Sequence, residues 1–346
     1  NGQRVLFPGQ EFGLNSDEIT IASLLQSGGY ATKIVGKWHC GDQSEFLPTK
    51  HGFDSYFGIP YSNDMGIQAA EDTNPPLPLL KDDEVVSLQP DQTNITDRYV
   101  KEALDFISSN QDKPFFLYFA HMYVHLPIYV KEAFLQSSKN GAYGGGVASI
   151  DSAAGKIFEE LERLGIDDET LVIFTSDNGS RVMGESINNK TGSSGFGSNR
   201  PLRGAKGSTW EGGLRVPCIM RWPGHISGGI TCNEIMASMD LYPTLAALAG
   251  VEAPSDRHID GIDLSSRILS GFKDGESRED FFYYNGDNLE AVRSEKWKLH
   301  VGKTRHYGEK MPVMNALYDL ENDSGETINL FDEHPGVVNA LFTKLD

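Results

Sequence analysis

Cysteine is scarce in this 346-residue chain: Cys40, Cys218 and Cys232 are its only three, and none has a partner at CxxC spacing. That excludes a zinc knuckle and a dense disulfide framework, and leaves either a Cys218–Cys232 pair or two buried free thiols. Long apolar runs are missing too, since none approaches the ~20 residues needed to span a bilayer, and Asn1 opens no signal peptide. Positive charge is in deficit, with 30 Lys and Arg against 49 Asp and Glu, a net charge of −19. Such a field repels polyanions and argues against nucleic acid as a partner. Any anionic substrate must therefore meet a local concentration of Lys, Arg or metal. There is no internal repeat and no low-complexity segment. The length is enough to bury a large core in one big domain plus a smaller one.

What the sequence does contain is an alternation of helical and strand-like segments. From Asp17 to Gln26, Ile21, Leu24 and Leu25 recur at helical spacing behind an acidic start, and Gly28-Gly29 stops the run. A short strand through Thr32 to Val35 follows. A helix carrying Tyr99, Val100, Ala103, Leu104 and Ile107 precedes the apolar run from Pro114 to Phe119, and one carrying Val147, Ile150, Ala154, Ile157, Phe158 and Leu161 precedes Leu171 to Thr175. Helices alternating with short, continuously apolar strands predict an α/β fold whose mostly parallel sheet is covered on both faces. A further helix runs from about Leu241, with Pro243 in its first turn, to Gly250 as C-cap. Beyond Gly261 the texture changes. Phe281 to Tyr284, Ala291 to Arg293 and Trp297 to His300 read as short antiparallel strands, the last two joined across Ser294-Glu295-Lys296. The expected division is a large domain over residues 1–264 and a small α+β domain over 265–346. The Gly- and Ser-rich stretch from Ser180 to Gly207 reads as a loop at the functional edge.

Ligands of open α/β sheets bind outside the carboxyl ends of the strands, and four such places carry polar groups of a coherent kind. After the first strand, Lys37 and His39 put an ammonium and an imidazole on the same side if the backbone stays extended. They suit anion binding and proton transfer, or are a surface lysine beside a histidine packed on Trp38. After the second, Pro127 biases Leu126 away from helix, so that His125 sits on a rigid loop. His121 and His125, four apart, could also ligate a metal, with His121 the better candidate for packing. After the third, Asp177 and Asn178 before Gly179 offer oxygen ligands of the kind Ca²⁺ or Mg²⁺ takes, or an ordinary turn. Finally Lys206, in the glycine-punctuated loop from Arg203 to Gly213, can reach a tetrahedral anion; the loop lacks the ending and spacing of a Walker A motif.

These strings, in this order, resemble the type I sulfatase family within the alkaline-phosphatase-like superfamily. The likeness is carried by Gly28 to Thr32 leading into Gly36-Lys37-Trp38-His39, by His51 to Asp54, and by Gly58 through Ser62 to Asp64. It continues through Pro114 to Tyr118, Asp177-Asn178-Gly179, Trp210 to Gly213, Trp222 to His225 and Asp240 to Leu245. It implies an alkaline-phosphatase-like fold and a hydrolase of sulfuric esters, a sulfated sugar or glycan being the expected substrate and aryl sulfates artificial ones. It implies that Lys37 and Lys206 bind the sulfate oxygens, that His39 assists the hydroxyls of a formylglycine nucleophile, and that His125 lies near the leaving oxygen. Ser62 matches a pocket serine, and Asp177 and Asn178 match two ligands of one divalent cation, usually Ca²⁺, with Mg²⁺ the alternative. The departure is that no C/S-x-P-x-R motif, which the formylglycine requires, occurs in the sequence, and the paired aspartates that complete the metal site are absent. Both are expected upstream, so the chain reads as part of a larger enzyme.

Two rivals stand beside this expectation: a phosphomonoester or phosphonate hydrolase, since the same cation and lysines serve a phosphoryl group, and a binding protein that kept the fold without its nucleophile. Asn94-Ile95-Thr96 and Asn189-Lys190-Thr191 fit the glycosylation sequon, in line with a periplasmic, secreted or lysosomal address. Arg181, Asn188 and Asn189 offer donors to substrate hydroxyls. The sequence fixes no oligomeric state.

Overall fold

The computed structural model describes residues 5–181, 197–302 and 315–345. Its central sheet is built around β1 (Ala31–Lys37), which pairs in parallel with β2 (Ser55–Ile59) on one side and β5 (Phe115–Ala120) on the other. The hairpin of β3 (Pro78–Lys81) and β4 (Glu84–Leu88) extends it antiparallel beyond β2, giving the order β4-β3-β2-β1-β5. Val35 joins Phe57, Ile59, Ile95 and Tyr99 in one apolar cluster, while Ile34 joins Ala22, Leu47, Phe53 and Tyr56 in another. Successive β1 residues therefore feed two different cores, as a strand covered on both faces must.

Helix α1 (Ile21–Ser27) contributes Ala22 to the second core, and α2 (Ile95–Ser109) contributes Ile95 and Tyr99 to the first. The 24-residue α4 (Gly141–Leu164) packs alongside α2 and carries the short α3 (Glu132–Ser137) against it, α4 ending at Gly165 in the left-handed region, φ 71°. α1 starts later than its acidic lead-in predicts. Thr20 Oγ1 accepts the amide of Ser23 at 3.0 Å and donates to His51 O at 2.7 Å, which fixes the cap four residues before Leu24 and excludes Asp17 from the helix. A charge is buried here as well: Lys33, in the middle of β1, meets Glu102 of α2 at 2.7 Å.

The strand expected at Leu171 to Thr175 forms as β6 (Val172–Thr175), but it pairs antiparallel with β7 (Cys218–Arg221) in a separate two-stranded ribbon. Among the described residues, no strand bridges β5 to β6. A short α5 (Glu211–Leu214) precedes β7, and α6 (Leu241–Ala249) follows it, capped by Gly250 at φ 67° as expected. After α7 (Ser265–Leu269) comes the antiparallel sheet β11-β10-β9-β8, formed by β8 (Asp280–Asn285), β9 (Asn288–Ser294), β10 (Trp297–His300) and β11 (Ala316–Asp319). α8 (Pro335–Thr343) covers one face through Val338 and Leu341, packed on Val292, Leu299 and Leu317. The α/β architecture and the C-terminal antiparallel sheet agree with the sequence. The three cysteines are free thiols; Cys218 and Cys232 do not pair, and Cys218 is exposed rather than buried.

Candidate active site

Because β1, β2 and β5 run in parallel, the segments that follow them leave the same edge of the sheet. Two close approaches narrow that edge. Gly36 pairs with Gly58 on β2 and Ala120 on β5. A Cβ at Gly36, whose φ is 122°, would stand 1.9 Å from Ala120 O, and one at Gly58 would stand 1.7 Å from Gly36 O. Only glycine fits at either position, and Lys37 emerges directly from this pinch.

Beyond Lys37 the chain keeps to β2: Trp38 N donates to Ile59 O at 3.0 Å and His39 N to Pro60 O at 2.9 Å. The backbone is not extended at His39, which has φ 64°. The sequence argument that extension alone would align Lys37 with His39 therefore fails, although the Lys37 charge still reaches the His39 ring. Trp38 does not stack on His39; its indole donates to Phe46 O at 2.7 Å and its ring lies against His51 and Phe53. His39 Nε2 lies 2.9 Å from Leu6 O. A carbonyl only accepts, so Nε2 carries the proton in the neutral ring and Nδ1 keeps the lone pair.

After β5, His121 is a packing residue. Its Nε2 is 3.0 Å from Thr96 Oγ1, its Nδ1 accepts Tyr123 N at 3.1 Å, and burial pushes its pKa down to about 4. His125 is different. Its Nδ1 lies 2.7 Å from Leu126 O and 3.4 Å from Ser62 Oγ, so Nδ1 is again the protonated nitrogen and Nε2 is left for chemistry. Asn63, beside Ser62, is buried and donates to both Gln92 Oε1 and Pro127 O at 3.0 Å. That bond ties the segment after β2 to the segment carrying His125.

Asp177 and Asn178 follow β6, and their turn is clasped against the Lys206 loop. Gly179 N donates to Gly213 O at 3.0 Å, and Lys206 N donates to Ser180 O at 3.2 Å. Asn199 Nδ2 bridges Ser180 O at 2.9 Å and Gly204 O at 3.0 Å. A Cβ at Gly179 would meet Gly212 O at 1.9 Å, which explains the glycines on both sides of the clasp.

Electrostatics joins the two halves of the site. Burial lowers the pKa of Lys37, with Asp177 opposing and Lys206 reinforcing that shift. Burial likewise lowers His39, against the Leu6 carbonyl and with Lys37, and lowers His125, against Asp64 and with Lys206 and Lys37. Lys37 thus feels the charges of Asp177 and Lys206, His39 those of Lys37 and His125, and His125 those of Lys206 and Lys37, although these residues are far apart in sequence; Ser62 lies beside His125. Arg181 is exposed just past the turn, while Asn188 and Asn189 lie outside the described residues. Sequence reasoning passed over Asp64, which acts on Lys37, His39 and His125 alike. It follows Ser62-Asn63, but no periodicity marks it as part of a site.

Asp177 and Asn178 present part of a donor set for a divalent cation. Asp177 is exposed, and Asn178 Nδ2 donates to Gly179 O at 3.1 Å, leaving its amide oxygen available. Both atoms are hard oxygens, the chemistry Ca²⁺ and Mg²⁺ take, but two donors are only part of a shell of about six to eight. Among the described residues no group of three or more His, Cys, Asp or Glu could hold a metal. These residues fit a portion of such a site and do not complete one.

The fold is that of an alkaline-phosphatase-like α/β protein, with Lys37 and His125 following parallel strands of its sheet and Lys206 near enough to influence both. A solved chain from work on the metabolism of multiple glycosaminoglycans by Bacteroides thetaiotaomicron superposes with a TM-score of 0.80 at 25% identity, covering 99% of this chain and 84% of that one. The sulfatase family model matches residues 4–251, and a model described as N-sulphoglucosamine sulphohydrolase, C-terminal, matches residues 205–346. The chain belongs to the sulfatase family. It is 38% identical over 339 residues to N-acetylgalactosamine-6-sulfatase of Rattus norvegicus, covering 93% of this chain and 61% of that protein. It is 37% identical over 378 residues to arylsulfatase A of Homo sapiens, covering 99% of this chain and 72% of that protein. The chain thus spans about three fifths of the length of the first of these relatives.

Proposed function

We propose that the complete protein hydrolyses sulfate esters of a sugar or glycan. The observation that supports this reading is the mutual electrostatic influence linking Lys37, His39, His125 and Lys206 in a chain of net charge −19. Only such a local reversal of sign lets an acidic protein hold an anionic ester. Family membership and the sulfated-sugar chemistry in the names of the relatives support the substrate class.

In this reading Lys37 and Lys206 face the sulfuryl oxygens and offset the charge that builds there as the S–O ester bond breaks. His125, protonated at Nε2 while Nδ1 is held by Leu126 O, gives that proton to the departing alkoxide, which leaves as the alcohol. His39, neutral with its lone pair on Nδ1, takes a proton from a hydroxyl of the nucleophile, and the Leu6 carbonyl keeps the ring in that tautomer. A formylglycine supplied from outside these 346 residues would provide the attacking oxygen. Asp177 and Asn178 would furnish part of the shell of a cation, Ca²⁺ or Mg²⁺, which supplies Lewis acidity when bound. In the same reading the sugar would be met by the small C-terminal domain after residue 264 and by the stretch from Ser180 to Arg203, where Arg181, Asn188 and Asn189 carry donors suited to hydroxyls.

An exported address follows from the same reading. Asn94 is exposed, as a glycosylated residue must be, and no helix among the described residues is long and apolar enough to cross a membrane. A complete gene without an export signal would overturn it.

The experiment is a panel of sulfated mono- and oligosaccharides, aryl sulfates and the matching phosphate esters, assayed with the full-length, formylglycine-matured protein. Sulfated sugars should be turned over and phosphate esters refused. Preference for phosphate would select the phosphatase rival, and no turnover at all would select the binding protein.

The pH profile carries a second expectation. Burial holds His125 below its ordinary value of 6.5, so its acid form shrinks about tenfold for each pH unit above that point. His39, lowered by burial in the same way, stays a free base well into the acid range. kcat/KM should therefore peak on the acid side of pH 6.5 and fall about tenfold per unit above pH 7, and His125→Ala should abolish that dependence. A profile flat to pH 8 would remove His125 as the acid.

A further inference from the structure

The loop that carries Lys206 is anchored by a set of charges buried deeper than Lys37, His39, His125, Asp177 or Lys206. Glu211, Glu326, Lys298 and His300 are all 1% exposed or less. Lys298 Nζ is saturated: it donates to Thr209 O at 2.8 Å, Glu211 Oε1 at 3.0 Å and Glu326 Oε1 at 2.9 Å. Glu326 accepts the Glu211 amide on Oε2 at 2.8 Å and faces His300 Nε2 through Oε1 at 3.0 Å. Tyr283 OH donates to Glu211 Oε1 at 2.8 Å, and Thr209 Oγ1 donates to Glu290 Oε2 at 2.7 Å. On the other side of Lys206, Arg203 donates to Glu326 O at 3.0 Å with its guanidinium 3.8 Å from the ring of Trp210. Burial opposes ionisation of Glu211, yet Lys298 and Arg293 overcome it and hold the carboxyl below its usual range.

The topology of these contacts has a direction. Arg203 and Thr209 belong to the loop, with Lys206 three positions from each, and Glu211 opens α5 at the loop's end. Tyr283, Glu290, Lys298 and His300 belong to β8, β9 and β10 of the antiparallel sheet. Gly204 and Gly207, at φ 81° and 86°, flank Lys206 and leave the loop little stiffness of its own. Stability alone is a poor reason for such an arrangement, because buried ion clusters can often be replaced by apolar side chains without loss. Geometry is the better reason, since saturated, directional bonds allow one loop position.

We propose that Lys298, Glu211 and Glu326 form a positioning device by which the antiparallel sheet fixes the loop bearing Lys206 over the anion site. The proposal rests on the reading of Lys206 as an anion-binding lysine. These three residues touch no substrate; they act through the backbone of residues 203–211.

A double-mutant cycle in the complete protein tests it. Lys206→Ala should lower kcat/KM for a sulfate ester about 100-fold, and Lys298→Met about tenfold or more by displacing the loop. In the Lys206→Ala background, Lys298→Met should cost less than about twofold, while the denaturation midpoint falls equally in both backgrounds. Independent, multiplicative losses would overturn the proposal, and so would full activity in Lys298→Met. If Lys206→Ala itself retains activity, the anion-binding reading of Lys206 fails instead, a result distinct from multiplicative losses. Should Lys298→Met not fold, Tyr283→Phe removes a single hydrogen bond to Glu211 and is read the same way. It should cost a few-fold in the presence of Lys206 and nothing further in its absence; equal losses in both would overturn the proposal.

Discussion

Lys37→Ala is expected to reduce kcat/KM of the complete protein by about 10²–10³, or about 3–4 kcal/mol of transition-state stabilisation, with the fold intact. The side chain stands at the end of β1, where burial depresses its pKa and Asp177 opposes that shift. A cation held in a partly dry, preorganised position does more for a developing negative charge than one in water. The strand's packing is carried by Ile34 and Val35, both fully buried, so truncation at position 37 removes charge without opening the core. Lys37→Arg should recover little, because a planar fork does not reproduce the position of a point charge. Steady-state kinetics beside circular dichroism decide the matter. A loss under fivefold, or one that tracks a drop in melting temperature, would remove Lys37 from the site.

Gly36→Ala should destabilise the protein by about 2–6 kcal/mol, because two costs coincide. Holding a side chain at the φ of 122° observed there costs about 1–3 kcal/mol. Forcing a methyl to within 1.9 Å of Ala120 O adds an overpacking term of about 1–3 kcal/mol. β1 and β5 must separate at the point where Lys37 leaves the sheet, so activity should fall as well. Gly155, inside α4 with open space around its Cβ position, is the control. Gly155→Ala should be neutral or stabilising by up to about 1 kcal/mol. Chemical denaturation of the two variants checks both, and equal stabilities would contradict this reading of the sheet.

The pattern of strands and helices was legible where the apolar signal was long. α2 before β5, α4 before β6 and the capped α6 lie close to where periodicity puts them. Much that was missed is short or lies at an edge. β3 and β4 form an edge hairpin on which Val85, Val86 and Leu88 are exposed, so neither clean alternation nor an apolar run marks them. Trp297 to His300 forms the strand expected of it, but the burial of that strand is not legible in its pattern. Alternation in a half-buried strand puts every second residue in water, which suits Lys298 and His300, yet both are fully buried. The opposite face of β10 packs against α8 through Leu299, and the face of Lys298 packs against the loop holding Thr209 and Glu211. Only the tertiary arrangement supplies the second cover.

For the site, the rule that ligands gather beyond the carboxyl ends of strands drew attention to Lys37, His125, Asp177 and Asn178 in advance, because each follows a strand that periodicity reveals. Lys206 depended on resemblance and glycine spacing, since no strand leads into it. Asp64 and the Glu211–Lys298–Glu326 cluster depend on contacts between segments far apart in sequence, which no local pattern encodes.

The most direct test of the account is a crystal structure of the complete protein with a sulfated sugar trapped in the site. The sulfuryl oxygens should lie within about 3.2 Å of Lys37 Nζ and Lys206 Nζ, with His125 Nε2 on the bridging ester oxygen. A sulfate group seated away from both lysines, or on the opposite face of the sheet, would contradict it.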